Sequence, residues 1–170
     1  MNQINKTKNF RYQLRDEIEQ TIKLKNINRN YFHEADKFNY AKIIRKFYYT
    51  FCDYPNYQAT PEQIEIYYLW TSFRKNLQYS KLVACPFDTD NTWEYAIKSI
   101  KNLLPDKNKY YYFLTVYNWL YEGTINSILE TLTEFPREIQ EFYIFPKDYS
   151  FVIIYDDDSE SLRMCYAKKQ

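Results

Sequence analysis

The 170 residues carry 23 Lys and Arg against 22 Asp and Glu, a net charge of +1, so no long-range field steers polyanions to the chain and nucleic acid is not an expected partner. With 45% apolar and 21% aromatic residues, a packed core is expected and disorder is not. Three widely spaced cysteines, Cys52, Cys85 and Cys165, beside a single histidine, His33, argue against a disulfide framework or a structural zinc site and place the chain in a reducing, cytoplasmic setting.

The N-terminus is polar, and no run approaches the length of a membrane span, so neither export nor a membrane partner is expected. One glycine, Gly123, stands against 20 tyrosines. Tyr, Asn, Lys and Ile all have A/T-rich codons, which accounts for the bias without selection. The other reading is that Tyr, large and amphipathic with few rotors, marks a recognition surface. Composition leaves both open.

In chain order, Phe10, Leu14, Ile18 and Ile22 recur every fourth residue and predict a first helix with one apolar stripe. Asn30-Tyr-Phe-His-Glu follows as a loop, with His33 in it and no Ser or Cys nearby to make a nucleophile pair. A second stripe runs through Tyr40, Ala41, Ile44, Phe47, Tyr48 and Phe51 and ends at the turn-forming Asp53-Tyr-Pro-Asn. Thr60-Pro-Glu-Gln reads as the capped start of a third helix that carries Ile66, Trp70, Phe73 and Leu77 inward.

The texture changes near Ser80. A short apolar run, Leu82-Val-Ala-Cys, precedes Asp90-Asn-Thr-Trp-Glu, a helix start followed by Trp93, Ala96, Ile97, Ile100 and Leu103 at helical spacing, with Pro105 as terminator. Tyr110 to Trp119 reads as one aromatic strand covered on both faces. Gly123 comes next, then a helix through Ile125, Ile128, Leu129 and Leu132 that stops at Pro136. Strands over Glu141–Phe145, Phe151–Tyr155 and Leu162–Ala167 close the chain as an antiparallel meander. The expected fold is α+β: one domain over 1–170, with a helical part, 1–80, packed on one face of a small mixed or antiparallel sheet within an α/β part, 81–170.

Two resemblances bear on function. After its apolar run, Asp88-Thr-Asp-Asn-Thr resembles the DxDxT of the haloalkanoate-dehalogenase-like phosphatases. That resemblance implies Asp88 as nucleophile, Asp90 as acid and base, and a bound Mg²⁺, with Thr115, Lys147, Asp156 and Asp157 as nominal counterparts of the later elements. Against it, Pro86 falls where a central strand would donate to its ladder, and Asp90 or Asn91 serves equally as a helix cap. The second resemblance rests on Glu141-Phe-Tyr-Ile-Phe-Pro-Lys-Asp-Tyr-Ser-Phe-Val-Ile-Ile-Tyr-Asp with Trp93 on a preceding helix. It resembles small uncharacterised bacterial families of the toxin-immunity type, which implies neutralisation of a toxin by binding. Where those families carry a His-Asp tip and a closing glycine, this chain has Asp156-Asp157-Asp158.

The acidic run Asp156 to Glu160 is either a chelator of a hard cation or a solvated hairpin turn, and the turn preferences of Asp and Ser favour the second; no cofactor is expected. The functional expectation is a non-enzymatic binding module of immunity type. Its protein partner, a toxin domain, would meet the acidic tip, Asp156, Asp157, Asp158 and Glu160, with Tyr149 and Tyr155 as aromatic anchors. The alternatives are the phosphatase and a phage or mobile-element protein that binds a host complex.

Overall fold

The structure is a computed structural model that describes residues 3–51, 80–84, 92–104, 106–115, 118–134, 141–156 and 161–167. The elements are α1 (Gln3–Leu24), β1 (Phe32–Glu34), α2 (Lys37–Phe51), β2 (Ser80–Ala84), α3 (Thr92–Leu103), β3 (Tyr110–Thr115), β4 (Leu120–Thr124), α4 (Ile125–Thr133), β5 (Glu141–Pro146), β6 (Phe151–Asp156) and β7 (Ser161–Tyr166). The expected α+β class is what the fold shows. The helix predicted from Thr60 lies outside the described residues. No helix among the described residues is long and apolar enough to cross a membrane.

All strands join one seven-stranded sheet in the order β1-β4-β3-β5-β6-β7-β2, each pair antiparallel. The predicted meander is present as β5-β6-β7. Its register, Phe142 opposite Tyr155 and Ile144 opposite Ile153, follows from side chains alternating between the two faces of a strand.

Helices cover both faces, not one as the sequence led us to expect. One core joins Leu14, Ile18 and Ile22 of α1, Ala96 and Ile100 of α3 and Ile125, Ile128 and Leu132 of α4 to Phe113, Phe142, Ile144, Ile153 and Tyr155 of the sheet. The other joins Ile44, Phe47, Tyr48 and Phe51 of α2 to Leu114, Tyr143, Phe145, Val152 and Ile154. Adjacent residues of β5 and β6 therefore enter opposite cores, which is why those strands read as unbroken apolar runs. All six residues of β5 are buried.

Two further corrections concern the strands. The stretch read as one strand over 110–119 is a hairpin: Asn118 takes a left-handed φ of 60°, and β4 runs back beside β3 with Leu120 opposite Leu114. Asn tolerates that conformation because its short polar side chain bonds locally, and here its carboxamide oxygen also accepts from the Tyr48 hydroxyl at 3.3 Å. The stretch read as a loop around His33 is β1, paired with β4 through His33 opposite Glu122.

Gly123 explains the docking of β1. It lies opposite Phe32, and a Cβ there would fall well inside the contact distance of the Tyr31 carbonyl oxygen and 2.7 Å from a ring carbon of Phe32. Its φ is not positive, so close approach and not backbone freedom requires the glycine. The Phe32 ring lies along Tyr121, with centroids 5.2 Å apart and planes at 22°, and is fully buried. At the end of β4, Thr124 donates its N–H to Tyr31 and accepts with its hydroxyl from the Ser127 N–H, so it caps α4 with no intervening loop.

Gly123→Ala is expected to cost about 2–3 kcal/mol, the upper part of the range for overpacking, because the obstruction is backbone. Urea denaturation reads the loss. Hydrogen exchange should place it first at the amides of Ala35 and Thr124, which bond across this junction.

Candidate interaction surface

Of the residues expected to meet a partner, Asp156 ends β6 opposite Ser161, while Asp157, Asp158 and Glu160 lie outside the described residues. The two expected anchors are interior. Tyr155 is 4% exposed, stacks on Phe142 at 5.3 Å with planes 15° apart, and takes the edge of Trp93 at 5.0 Å. The register of β6 turns it into the core shared with α1, α3 and α4.

Tyr149 is 5% exposed and follows the β5–β6 turn with a left-handed φ of 57°. That conformation carries its ring back against Phe145 at 5.4 Å, lets its hydroxyl donate to the Ile43 carbonyl at 3.3 Å and puts the Lys46 ammonium 4.5 Å over the ring. For a residue with a Cβ the left-handed backbone costs roughly 1–2 kcal/mol. Burying an aromatic ring contributes about 1.5–3 kcal/mol, which is enough to hold it there.

The phosphatase counterparts do not converge. Asp88 and Asp90 lie outside the described residues, and β2, which leads to them, is an edge strand paired only with β7. Thr115 ends β3, four strand spacings away, about 19 Å. Lys147 follows the far end of β5, whereas Asp156 faces Glu141 at its near end, so the two are separated by about the length of β6, roughly 17 Å. Among the described residues no group of three or more His, Cys, Asp or Glu is placed to hold a metal ion.

What the fold does present is an aromatic rim around β1. Exposed large apolar side chains include Tyr31 at 52%, Phe38 at 97% and Tyr12 at 58%. Tyr31 precedes β1, and Phe38 lies in the first turn of α2, where Asp36 accepts from its N–H at 3.1 Å. Tyr12 reaches over from α1 to the ring of Trp119, 5.8 Å away. Trp119 stands just before β4, whose Leu120 carbonyl accepts from Ala35 as the chain leaves β1. Tyr12, Trp119 and Phe38 thus share the end of the sheet at which β1 runs into α2. Asp156 is at the same end, four strand spacings along it, about 19 Å.

A polar network holds α1 across this edge. Arg15 donates through Nη2 to Glu34 of β1 at 2.7 Å while its guanidinium lies 5.5 Å from the centroid of Trp119. The bond from Arg15 to Glu34 raises the guanidinium pKa further. Arg29 donates to Glu19 at 2.7 Å, and the Tyr121 hydroxyl donates to the other Glu19 oxygen at 3.0 Å. Burial opposes ionisation of Glu19, yet the bonds from Arg29 and Tyr121 outweigh it and hold the carboxyl below its ordinary value. Burial, with the Glu19 carboxylate beside it, pushes the Tyr121 phenol well up, so it remains a donor. An open depression of about 750 Å³ runs between α1 and the following turn, lined by Arg15, Glu19, Lys23, Ile27 and Arg29 among others. Both of its arginines are bonded to carboxylates, Arg15 to Glu34 and Arg29 to Glu19.

Sequence reasoning missed Phe38 and Tyr12. Neither falls on the apolar stripe of its helix, and an aromatic side chain off the stripe, right after an Asp cap, is the signal that was available.

An antiparallel sheet wrapped by helices on both faces, with large aromatic side chains exposed near one edge strand, defines an α+β protein. The chain belongs to a family of unknown function (DUF6756), which it matches over residues 10–170. No curated protein and no solved structure matches it.

Two outcomes follow from this geometry. Tyr149→Gly should be more stable than Tyr149→Ala by about 1 kcal/mol, because both lose the ring but only glycine releases the left-handed strain. Both should unfold before the parent in urea. Because the folded Glu19 carboxyl lies below its unfolded value, its contribution is complete above the ordinary carboxylate pKa and is lost as pH falls through the folded value. The urea midpoint of Glu19→Gln should therefore differ from that of the parent at about pH 7 and approach it at about pH 3.

Proposed function

We propose that the protein is a non-enzymatic protein-binding module of the toxin-neutralising, immunity type, and that its partner docks at the end of the sheet where β1 runs into α2. The observation that carries this reading is the exposure of Phe38 and Tyr12 at that end, where Tyr12 meets Trp119 and Arg15 pairs with Glu34, with Tyr31 exposed at the other end of the short β1. Aromatic residues and arginine are the residue types enriched in interfaces and dominant among hot spots. A preformed ion pair and a half-covered Trp also limit the ordering that binding must supply.

The acidic sequence from Asp156 to Glu160 belongs to the same proposal as its electrostatic part. It begins about 19 Å from β1 at the same end of the sheet, within reach of one standard interface of about 800 Å² a side. Opposite charge on a basic toxin domain would raise the association rate there more than the final affinity.

Capture of the tagged protein from its native host, with partners identified by mass spectrometry, tests the reading. A stoichiometric protein should be recovered and should be lost with Phe38→Ala and Tyr12→Ala together, while the thermal midpoint stays close to the parent because exposed substitutions move stability by within about 0.5 kcal/mol. Lys in place of Asp157, Asp158 and Glu160 should slow association and make it less salt-dependent. Undiminished capture by the aromatic double variant would remove this siting, and recovery of the protein alone would remove the function.

A further inference from the structure

A second surface, which shares Phe38 with the docking site proposed above and otherwise lies outside it, runs along α2. Its sequence, Lys37-Phe-Asn-Tyr-Ala-Lys-Ile-Ile-Arg-Lys-Phe-Tyr-Tyr-Thr-Phe51, carries four cations and no acid. At 100° per residue, Ile44, Phe47, Tyr48 and Phe51 turn to the sheet and are buried, which leaves Phe38, Lys42, Arg45 and Lys46 on the opposite half, while Lys37, seven residues before Ile44, lies on the line of the buried stripe at the exposed start of the helix. Phe38 stands on that half at the N-terminal end of the helix, Lys42 follows about one turn on, and Arg45 lies on nearly the same line as Phe38 two turns further on.

Four cations elsewhere in the described structure meet carboxylates: Arg15 with Glu34, Lys25 with Glu134, Arg29 with Glu19 and Lys147 with Glu122. Among the described residues none of the four cations of α2 has such a partner. Asp36, the nearest acid in sequence, is bonded to the Phe38 N–H and the Asn39 carboxamide as the cap of the helix. Lys46 lies over the Tyr149 ring, and Arg45 keeps a buried Nε with no acceptor. In a chain of net charge +1 this is a local segregation of positive charge, with a 97% exposed aromatic ring at its N-terminal end.

We propose that the outer face of α2 is a docking surface for an acidic polypeptide segment whose carboxylates meet Lys42, Arg45 and Lys46 and whose apolar side chain covers Phe38. Charge complementarity selects the sign of the partner. Phe38 selects its class. A phosphate backbone gains from lysines but leaves the exposed phenyl ring in water, and the near-neutral chain supplies no field that would gather a polyanion. A peptide with acidic and apolar residues in alternation satisfies both features, and α2, about 22 Å long, spans several of its residues.

The probes are a fluorescein-labelled peptide of alternating Glu and Leu, about the length of α2, and a duplex DNA of similar length, titrated with the full chain at about 0.1 M salt. Fluorescence anisotropy is expected to show binding of the peptide, weakened at least about tenfold by Lys42→Glu with Lys46→Glu and about fivefold by Phe38→Ser. Circular dichroism should show both variants folded, since every changed side chain is exposed. No binding of the peptide, or equal binding by the lysine variant, would overturn the proposal. So would tighter binding of the duplex with no effect of Phe38→Ser, which would assign the strip to nucleic acid. Loss of a captured toxin partner with Tyr12 and Phe38 changed, but full peptide binding by Tyr12→Ala alone, would separate this surface from the one proposed above.

Discussion

The structure depends on one constraint: a sheet that must be covered on both faces at once. In β5 all six residues are buried and in β6 residues 152–155 are, so Phe142 and Tyr143, or Ile153 and Ile154, enter different cores. Phe47 of α2 is central to one of them, with ring centroids 4.5 Å from Phe145 and 5.5 Å from Tyr143. Trp93 of α3 does the same on the other side against Phe142 and Tyr155, and its indole N–H, donating to Leu132, ties α3 to α4. Even the polar residues of β5 are drawn in: Glu141 is buried, with the Tyr143 hydroxyl donating to it. A buried carboxyl is tolerated only when hydrogen-bonded in this way.

That constraint fixes what is left for the surface. Helices that bury one stripe keep the other half for solvent, and on α1 and α2 that half holds Tyr12, Phe38 and the lysines. The edge strand β1 is three residues long, and short edges blunt unwanted strand pairing. It is held by the fit of Phe32 over Gly123 and by Arg15 from α1. The rich tyrosine content then has two uses that composition could not separate. Tyr121, Tyr143, Tyr149 and Tyr155 fill the interior, while Tyr12 and Tyr31 remain outside.

Much of the fold was legible because it rests on periodicity. The stripes of α1, α2, α3 and α4 and the three strands of the meander were all placed from apolar spacing, which burial enforces over many residues. The missing parts rest on single contacts. β1 has too few residues to show alternation, and the β3–β4 hairpin turns at Asn118 without a glycine, so nothing in its spacing marked the reversal. The two-sided covering was implicit in the unbroken run Phe142-Tyr-Ile-Phe145, which excludes a sheet with a wet face. For the surface, Tyr149 and Tyr155 were misplaced because a turn residue and a strand end look exposed in sequence; a left-handed φ and the register put both rings inside. The charge pattern of α2 was readable, but only the structure shows that its cations lack carboxylate partners among the described residues.

Native-state hydrogen exchange tests the two-sided core most directly. If α1 and α2 complete the cores on opposite faces of one sheet, the slowest amides of α1, α2, β5 and β6 will share one opening free energy, equal to that of global unfolding. Exchange of α2 through a much smaller opening, with β5 and β6 still protected, would show that the sheet does not need its second cover and would contradict this account.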